Sequence, residues 1–280
     1  MEYKEYKPST ILSPFIECYW TAYAHKPPFR AQESLIPDGT IELMFNFGDN
    51  YFQIKDGRKK IVKGSHVIGI RKESLHISQT DNQDLFSVMF KLGGIHPFLK
   101  IPVNTFANDF YELEQLMGNE YRELEEKLYD ARTAGDRIVV MENYLLRKLR
   151  SCNFADYDFV NSCLKSLLHR LSTDIKVLAQ QYNSNYKTLE RKFEKVVGLT
   201  PSEVVKIRRF NNAVLLMYSC RYDSLTRIAY ECGYYDQSHF IREFKDLTAL
   251  TPRGFLKEQF TIVQVIQPAL AGRLSKSYNL

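Results

Sequence analysis

The segment IAYECGYYDQSHFIREFKDLTALTP, residues 228–252, decides the fold of the C-terminal half. It aligns with LAQQYNSNYKTLERKFEKVVGLTP, residues 178–201, at an offset of 50 residues that becomes 51 after an insertion in the turn of the second copy. The matched pairs are Ala179 and Ala229, Leu189 and Phe240, Arg191 and Arg242, Phe193 and Phe244, and Pro201 and Pro252. Two copies are too few for a solenoid, which needs at least about three. The sequence therefore predicts a duplicated small module.

Each copy is predicted to form a helix, a short turn and a second helix. Gly233 and Asn183 follow the first helix at equivalent places, and both residue types tolerate the left-handed backbone of a helix end. Ser224 is predicted to cap the first helix of the second copy. Ser184 and Asp236 are predicted to cap the second helix of each copy by accepting a free backbone N–H. This arrangement is that of a helix-turn-helix.

A further helix is predicted between the copies. Thr200-Pro201-Ser202-Glu203 combines a capping box with proline at the first helical position. The apolar stripe that follows consists of Val204, Ile207, Phe210, Val214 and Met217. A rigid helix of this kind would hold the two modules at a fixed separation, as recognition of two sites on one duplex requires.

The N-terminal half is predicted to be a sheet followed by helices. Apolar residues alternate with polar ones over residues 41–47 and 86–92, which is typical of strands with one buried face. Residues 61–70 and 75–78 are further strand candidates. Hairpin signals separate these segments, namely Asp38-Gly39, Gly48-Asp49-Asn50 and Asp56-Gly57. Short strands without intervening helices predict an antiparallel barrel or sandwich.

A pair of helices is predicted after the strands. Leu124, Leu128 and Ala131 follow helical spacing, and so do Ile138, Met141, Leu145 and Leu149. Thr133-Ala134-Gly135 forms the corner between them. The predicted fold class is therefore α+β. A barrel with an apolar interior and a helical pair can bind a small ligand and dimerise. A filled core without a ligand is the alternative.

Composition and charge exclude several classes of protein. The net charge is +5, but residues 1–173 carry a net −1 and residues 174–260 a net +4, which favours a polyanion as the partner of the C-terminal half. No apolar run approaches the ~20 residues of a membrane-spanning helix, and residues 1–10 lack the apolar core of a secretory signal. A cytoplasmic protein without membrane contact is expected.

The sequence offers no sign of catalytic or metal chemistry. The five cysteines contain no C-x-x-C pair, and the histidines of the N-terminal half are isolated. The phosphate-binding and hydrolase motifs are absent. Gly93-Gly94 is interpreted as a bend rather than a phosphate cradle. We expect reduced structural cysteines, no metal, no cofactor and no enzymatic activity.

The duplicated module resembles the DNA-binding domain of the AraC/XylS family of bacterial transcriptional regulators. The resemblance covers about residues 158–257 and includes both copies, their spacing and the linker helix. Ala249 departs from the family pattern, which has glycine there, as at Gly198; alanine implies either a different bend or strain. The N-terminal half resembles, more loosely, a cupin-like sensor domain of some members, through IPDGTIELMFNFG at residues 36–48 and FKLGG at residues 90–94.

The resemblance implies a sequence-specific DNA-binding transcriptional regulator. We expect a cupin-like sensing or dimerisation domain over residues 1–155, a double helix-turn-helix domain over 158–260 and a tail over 261–280. Candidate partners are double-stranded DNA, a small-molecule effector, RNA polymerase and a second copy of the chain. The alternative is an effector-free DNA-binding protein whose N-terminal half only dimerises. The tail, which contains TIVQVIQPAL, is apolar enough to dock on the protein or on a partner.

Residues near the start of each recognition helix are predicted to read the major groove. Gln237 can pair bidentately with adenine, and Arg191 or Arg242 can bind guanine or a phosphate. Leu189, Phe193, Phe240 and Phe244 should form the opposite, buried face. The candidate DNA-binding residues are Asn185, Tyr186, Lys187, Glu190 and Arg191 in the first copy, Asp236, Gln237, Ser238, His239 and Arg242 in the second, and Lys206, Arg208 and Arg209 as backbone clamps on the linker helix.

Overall fold

The computed structural model describes residues 2–25, 32–79, 82–99, 101–169, 174–218 and 224–258. The apolar tail and Cys220, for which predictions were made, lie outside these residues. The other four cysteines are free thiols.

Within the described part of the N-terminal half, ten strands form two facing sheets. The strands are β1 (Glu2–Tyr6), β2 (Ile16–Ala24), β3 (Gln32–Leu35), β4 (Ile41–Asn46), β5 (Tyr51–Lys55), β6 (Arg58–Val62), β7 (His66–Ile68), β8 (Leu75–Ser78), β9 (Gln83–Phe90) and β10 (Phe110–Glu112). One sheet has six strands in the order β1-β2-β9-β4-β7-β10, and the other has four in the order β3-β8-β5-β6. These strands pair antiparallel, as predicted.

The central strand β4 is buried on both faces, so the prediction of one exposed face was wrong. One face joins the core beneath the helices, and the other lines the space between the sheets. Glu42 lies on the inner face and accepts hydrogen bonds from Trp20 Nε1 and Ser87 Oγ, both at 2.9 Å. Burial raises the pKa of Glu42 above its ordinary value, although Arg71 opposes the shift.

The predicted strand over residues 61–70 is two strands. Strand β6 ends at Val62 and β7 begins at His66, and Gly64 between them has a φ of 49°. A left-handed residue suits a turn rather than a continuous strand. Because β6 lies in the four-stranded sheet and β7 in the six-stranded sheet, this break carries the chain from one sheet to the other.

The helical pair follows the strands as predicted. Helix α1 spans Leu113–Met117, α2 spans Asn119–Asp130 and α3 spans Ala134–Leu149. Thr133 Oγ1 accepts a hydrogen bond from the Asp136 N–H at 3.1 Å, and the Asp136 carboxylate accepts one from the Thr133 N–H. This capping box fixes the corner between α2 and α3.

Seven helices of the described residues follow in the C-terminal half. They are α4 (Ala155–His169), α5 (Ile175–Gln181), α6 (Tyr186–Val197), α7 (Pro201–Tyr218), α8 (Leu225–Glu231), α9 (Gln237–Thr248) and α10 (Pro252–Glu258). Helices α5 and α6 form the first helix-turn-helix, and α8 and α9 form the second. Helix α7 is the predicted linker, and its Thr200–Glu203 capping box is present. None of the helices described is both long and apolar enough to cross a membrane.

The predicted caps are correct at all but one position. Ser224 caps α8, Asp236 caps α9, and Asn183 and Gly233 have φ angles of 48° and 77°. Helix α6 is capped by Asn185, whose Oδ1 accepts the Thr188 N–H at 2.8 Å, and not by Ser184. Since either residue type can cap a helix, spacing alone did not distinguish these neighbours.

The two halves share one continuous core. Phe15 and Phe90 of the N-terminal half belong to the same apolar cluster as Val160, Val197 and Ile207 of the C-terminal half. Tyr157 in α4 also donates its hydroxyl proton to the Pro14 carbonyl at 3.1 Å. The first helix-turn-helix is thus packed against the sheet half of the molecule.

Replacing Ala249 with glycine should stabilise the protein. Ala249 has a φ of 60° and a ψ of 4°, a left-handed conformation that costs an L-residue roughly 1–2 kcal/mol. After the entropy of glycine in the unfolded chain is deducted, we expect a gain of about 1 kcal/mol, or about 2–4 °C in melting temperature. Calorimetry of both proteins measures it.

Asn183→Gly is the matched control because Asn183 has a similar left-handed backbone. Asparagine tolerates this conformation, so its gain should be clearly smaller. Equal gains at both positions would show that Ala249 is not strained.

Candidate nucleic-acid interface

Each recognition helix has one fully buried face, as predicted. Leu189 and Phe193 in α6, and Phe240 and Phe244 in α9, are each 0% exposed. The first residues of both helices lie at the surface, where they can enter a groove of DNA.

The start of α6 presents polar side chains to solvent. Asn185, Tyr186, Lys187 and Arg191 are exposed. The Tyr186 hydroxyl donates to Glu190 Oε1 at 2.7 Å. This bond occupies the Glu190 carboxylate within its own helix, so the predicted contact of Glu190 with DNA stays a prediction. The bond also raises the pKa of Tyr186.

The start of α9 is more strongly organised. Asp236 Oδ1 accepts the His239 N–H at 2.7 Å, so this carboxylate is a helix cap. Thr226 in α8 donates its hydroxyl to Gln237 Oε1 at 2.5 Å. Ser238 and Arg242 are exposed. Sequence reasoning missed Thr226, because hydrophobic periodicity does not indicate which side chain will hydrogen-bond to Gln237.

His239 is held between two residues of its own module. Its ring packs edge-on against Tyr234, with centroids 5.4 Å apart, and its Nε2 lies 3.7 Å from Glu243 Oε2. The His239 ring is thus engaged within its own module, and its role in reading the major groove stays a prediction.

The prediction that Arg208 clamps DNA is corrected by its position. Arg208 is 6% exposed, and its Nη1 donates to the Leu167 carbonyl of α4 at 3.4 Å. A phosphate has no access to a guanidinium buried between helices. Arg208 is a structural residue that ties the linker helix to α4.

The other two linker candidates lie beside α9. Arg209 Nη2 is 3.2 Å from Glu243 Oε2, and its guanidinium stacks over Tyr234 at 5.1 Å. Lys206 Nζ is 3.8 Å from Asp246 Oδ2 and remains partly exposed. Arg209 thus fixes the second module to α7. The ion pair of Lys206 is longer than that of Arg209, so Lys206 is the better candidate of the two for binding a phosphate.

Two further lysines of α6 are held by a residue that sequence reasoning missed. Asp156 in α4 accepts from Lys192 Nζ at 2.5 Å and from Lys195 Nζ at 2.6 Å. Hydrogen bonds from both ammonium groups lower the pKa of Asp156 to about 2. Because the Asp156 carboxylate holds both ammonium groups against α4 and offsets one of their two charges, we expect Lys187, Arg191 and Arg242 to contribute more to the field at the interface than Lys192 and Lys195 do.

A cleft of about 540 Å³ lies where the halves meet. Its walls include Leu99 and Pro97 from the N-terminal half, Cys152 before α4, and Lys195 from α6. The Cys152 thiol donates to the Pro97 carbonyl at 2.8 Å. A small molecule in this cleft would contact the sheet half and the first recognition helix together.

Comparison with known families divides the chain in the same way. Residues 178–258 match a family described as "Helix-turn-helix domain", and residues 4–112 match a domain of unknown function (DUF6597). The HTH-type transcriptional activator RhaS of Escherichia fergusonii is 24% identical over 221 residues, which are 71% of this chain and 79% of that protein. RhaS of Salmonella paratyphi B is 23% identical over 75% of this chain and 82% of its own length.

Solved structures of ToxT from Vibrio cholerae align with most of the chain. One superposes with a TM-score of 0.46 and 12% identity over 85% of this chain and 97% of ToxT. A second, described as bound to an unsaturated fatty acid, superposes with a TM-score of 0.42 over 91% and 93%. Similarity at this level transfers neither ligands nor residue roles to the present chain.

Arg191→Ala and Arg242→Ala should weaken binding to all DNA sequences alike. Both arginines are exposed, and they occupy equivalent positions in α6 and α9. Among the exposed positions that align between the two recognition helices, this one holds the same residue in both copies. A contact common to two otherwise different helices fits a phosphate better than a base. Each variant should lower the slope of log affinity against log salt by about one unit.

Arg208→Met provides the contrast. Because its Leu167 contact is buried, this change should lower the free energy of unfolding by about 1–3 kcal/mol. It should leave the salt slope unchanged. A loss confined to one base pair after Arg191→Ala or Arg242→Ala would instead establish base reading.

Asp156→Asn should destabilise the protein in a pH-dependent manner. The pKa of Asp156 falls from an ordinary value of 3.8 to about 2 in the folded protein. Its contribution is therefore complete above pH 4 and is lost as the pH falls towards 2. Because solvent screens the partly exposed pair, we expect about 1 kcal/mol at pH 7, with the gap to wild type closing below pH 4 in denaturant titrations.

Asn153→Ala serves as the control at the same helix start, since its Oδ1 accepts only the Ala155 N–H. Its effect should not vary with pH below 4. A constant deficit for Asp156→Asn from pH 7 to pH 3 would contradict the ion-pair explanation.

Proposed function

We propose that the chain, a DNA-binding transcriptional regulator, is of the AraC/XylS type and reads an asymmetric site made of two unlike boxes. One observation carries the proposal. The aligned residues at the start of the recognition helices differ in chemistry, with the exposed Tyr186 and Lys187 in α6 against the half-buried Gln237 and the exposed Ser238 in α9. Unlike side chains cannot read like boxes, so the site should not be a palindrome.

The spacing of the boxes follows from the scaffold. Helix α7 packs against both modules, through α4 and α6 on one side and α8 and α9 on the other. Two recognition helices on one rigid rod must enter successive major grooves on one face of the duplex, roughly 34 Å apart. The site should therefore span two boxes one helical turn apart.

Gln237 is the strongest candidate for direct base reading. A glutamine amide matches the N6 and N7 edge of adenine in the major groove. Thr226 already holds its carbonyl oxygen at 2.5 Å, so the amide is oriented before DNA arrives. An oriented side chain loses less conformational entropy on binding.

We extend the proposal to the remaining partners. The chain would act as an activator in the cytoplasm, as the curated RhaS relatives are named activators, and would contact RNA polymerase from the bound site. A small-molecule effector would occupy the cleft between Leu99 and Lys195. The helical pair α2 and α3, with Val139 60% exposed, is the candidate surface for a second copy of the chain.

Selection of random DNA with the full chain tests the proposal. We expect two unlike boxes, and Gln237→Ala should relax the preference in one box only, by about 1–3 kcal/mol. Gln115→Ala in the N-terminal half is the control and should change neither box. Recovery of a palindrome, or indifference to five base pairs inserted between the boxes, would rule out two-groove reading.

A further inference from the structure

The C-terminal end of the first recognition helix is buried against the N-terminal half. Val196 lies so close to Gly93 that a Cβ there would be 3.3 Å from Val196 Cγ1. A Cβ on Gly198, which ends α6, would lie 2.8 Å from Ile70 Cγ2 and 3.0 Å from Val103 Cγ1. The backbone of the helix end thus touches the sheet half with no room for a side chain.

The second recognition helix meets the N-terminal half at the equivalent place. The Ser74 N–H donates a hydrogen bond to the Leu247 carbonyl at 2.8 Å. Leu247 is the counterpart of Val196 in the 51-residue offset of the two copies. The N-terminal half therefore contacts the C-terminal end of the recognition helix in both modules, at equivalent residues.

A single segment contacts both modules. We call residues 70–74 the bridge. Its Ile70 touches Gly198, and its Lys72 Nζ lies 2.9 Å from Glu203 Oε1 in the linker capping box. Burial disfavours ionisation of Glu203, but Lys72 and the Thr200 N–H outweigh it and hold the pKa of Glu203 below its ordinary value.

The alternate residues of the bridge fasten it to its own half. Arg71 is 2% exposed and binds Asp38 at 2.5 Å, and Asn108 donates to Glu73 at 3.4 Å. The Lys72 N–H also donates to Asn108 Oδ1 at 2.6 Å. Ile70, Lys72 and Ser74 thus contact the helical half, whereas Arg71 and Glu73 bind residues of the sheet half, so the bridge holds both halves at once.

Arg71 brings one further residue to the second module. Its Nε donates to the Ile36 carbonyl at 2.9 Å. The Ile36 side chain, 6% exposed, belongs to the apolar cluster of Phe210, Phe240 and Phe244. The core around the second recognition helix is therefore completed by a side chain from the other half of the protein.

We propose that the bridge is a positioning element for DNA reading, which fixes the separation of the two recognition helices by holding their C-terminal ends. Their N-terminal ends remain exposed, so the N-terminal half can stay docked while both helices occupy DNA. In this proposal the bridge and helix α7 set the spacing together. This inference rests on the proposed two-box reading.

The second module depends on the bridge more than the first. The last four carbonyls of a helix have no partner within the helix, and Ser74 satisfies one of them in α9. Helix α6 ends in a glycine, which adopts the left-handed conformation freely, whereas α9 ends in the left-handed Ala249. Loss of the Ser74 bond should therefore loosen α9 and leave α6 in place.

Ser74→Pro in the full chain tests the proposal because proline has no N–H to donate. Ser74→Ala is the matched control, since the buried Ser74 hydroxyl has no hydrogen-bond partner among the residues that the structure describes, and its removal keeps the backbone bond. We expect Ser74→Pro to lose about five- to tenfold in affinity for the two-box site. It should tolerate altered box spacing better than wild type and bind a site with a scrambled second box normally.

A second pair of measurements separates positioning from general instability. Ile36→Ala, which leaves the bridge backbone intact, should weaken second-box binding in the same manner. Hydrogen exchange should become faster in α9 than in α6 for both variants. Adding Ala249→Gly to Ser74→Pro should restore much of the lost affinity, because it relieves the end of α9 independently of the bridge.

The outcomes distinguish this inference from the proposed function. If the wild-type protein recognises no two-box site, the proposed function itself is wrong. Wild type that recognises the site, with Ser74→Pro and Ile36→Ala retaining its affinity and spacing preference, would overturn the bridge alone. If Ser74→Pro loses first-box binding through misfolding, Ile36→Ala decides between these results.

Discussion

Helix α6 ends at Gly198, and two constraints meet in that residue. Its φ of 81° reverses the chain into the linker helix, which few residues other than glycine allow. Its Cα also lies against Ile70 and Val103, where a Cβ would clash. The first recognition helix, the start of α7 and the sheet half can be packed together only because this residue has no side chain. The position of the reading surface relative to the N-terminal half follows from it.

The helical half could be predicted because its signals are local. Caps, left-handed turn residues and the Thr200–Glu203 box each lie within a few residues of the helix end that they fix. The sheet half was harder. Strand β2 carries Tyr19 into one core and Trp20 into the other, so both faces are apolar and no alternation marks the strand. Pairing at long range, which a sequence does not display, decides such strands.

In the candidate site, too, features fixed by local sequence could be predicted and features fixed by distant contacts could not. Which residues would begin each recognition helix followed from the repeat, whereas the availability of each charge did not. Arg208 and Arg209 are neighbours on α7, yet one is buried against Leu167 and the other pairs with Glu243. Asp156 removes two lysines of α6 from the reading surface across a separation of more than thirty residues in the chain. Helical spacing predicts the face of a side chain but not the partner that neutralises it.

The differences between the two copies fit the proposal that one scaffold reads two sequences. The positions that both copies keep are buried or shape the backbone, as with Phe193 and Phe244 in the core and Pro201 and Pro252 at a helix start. Exposed positions have diverged because packing places no demand on them. The arginine pair that both copies retain on the exposed face is the exception, and since packing does not explain it, we propose a contact shared by both boxes. The DNA backbone is the feature that two different boxes have in common. The duplicated arginines would therefore set the register of each helix on the duplex, and the diverged neighbours would read the bases.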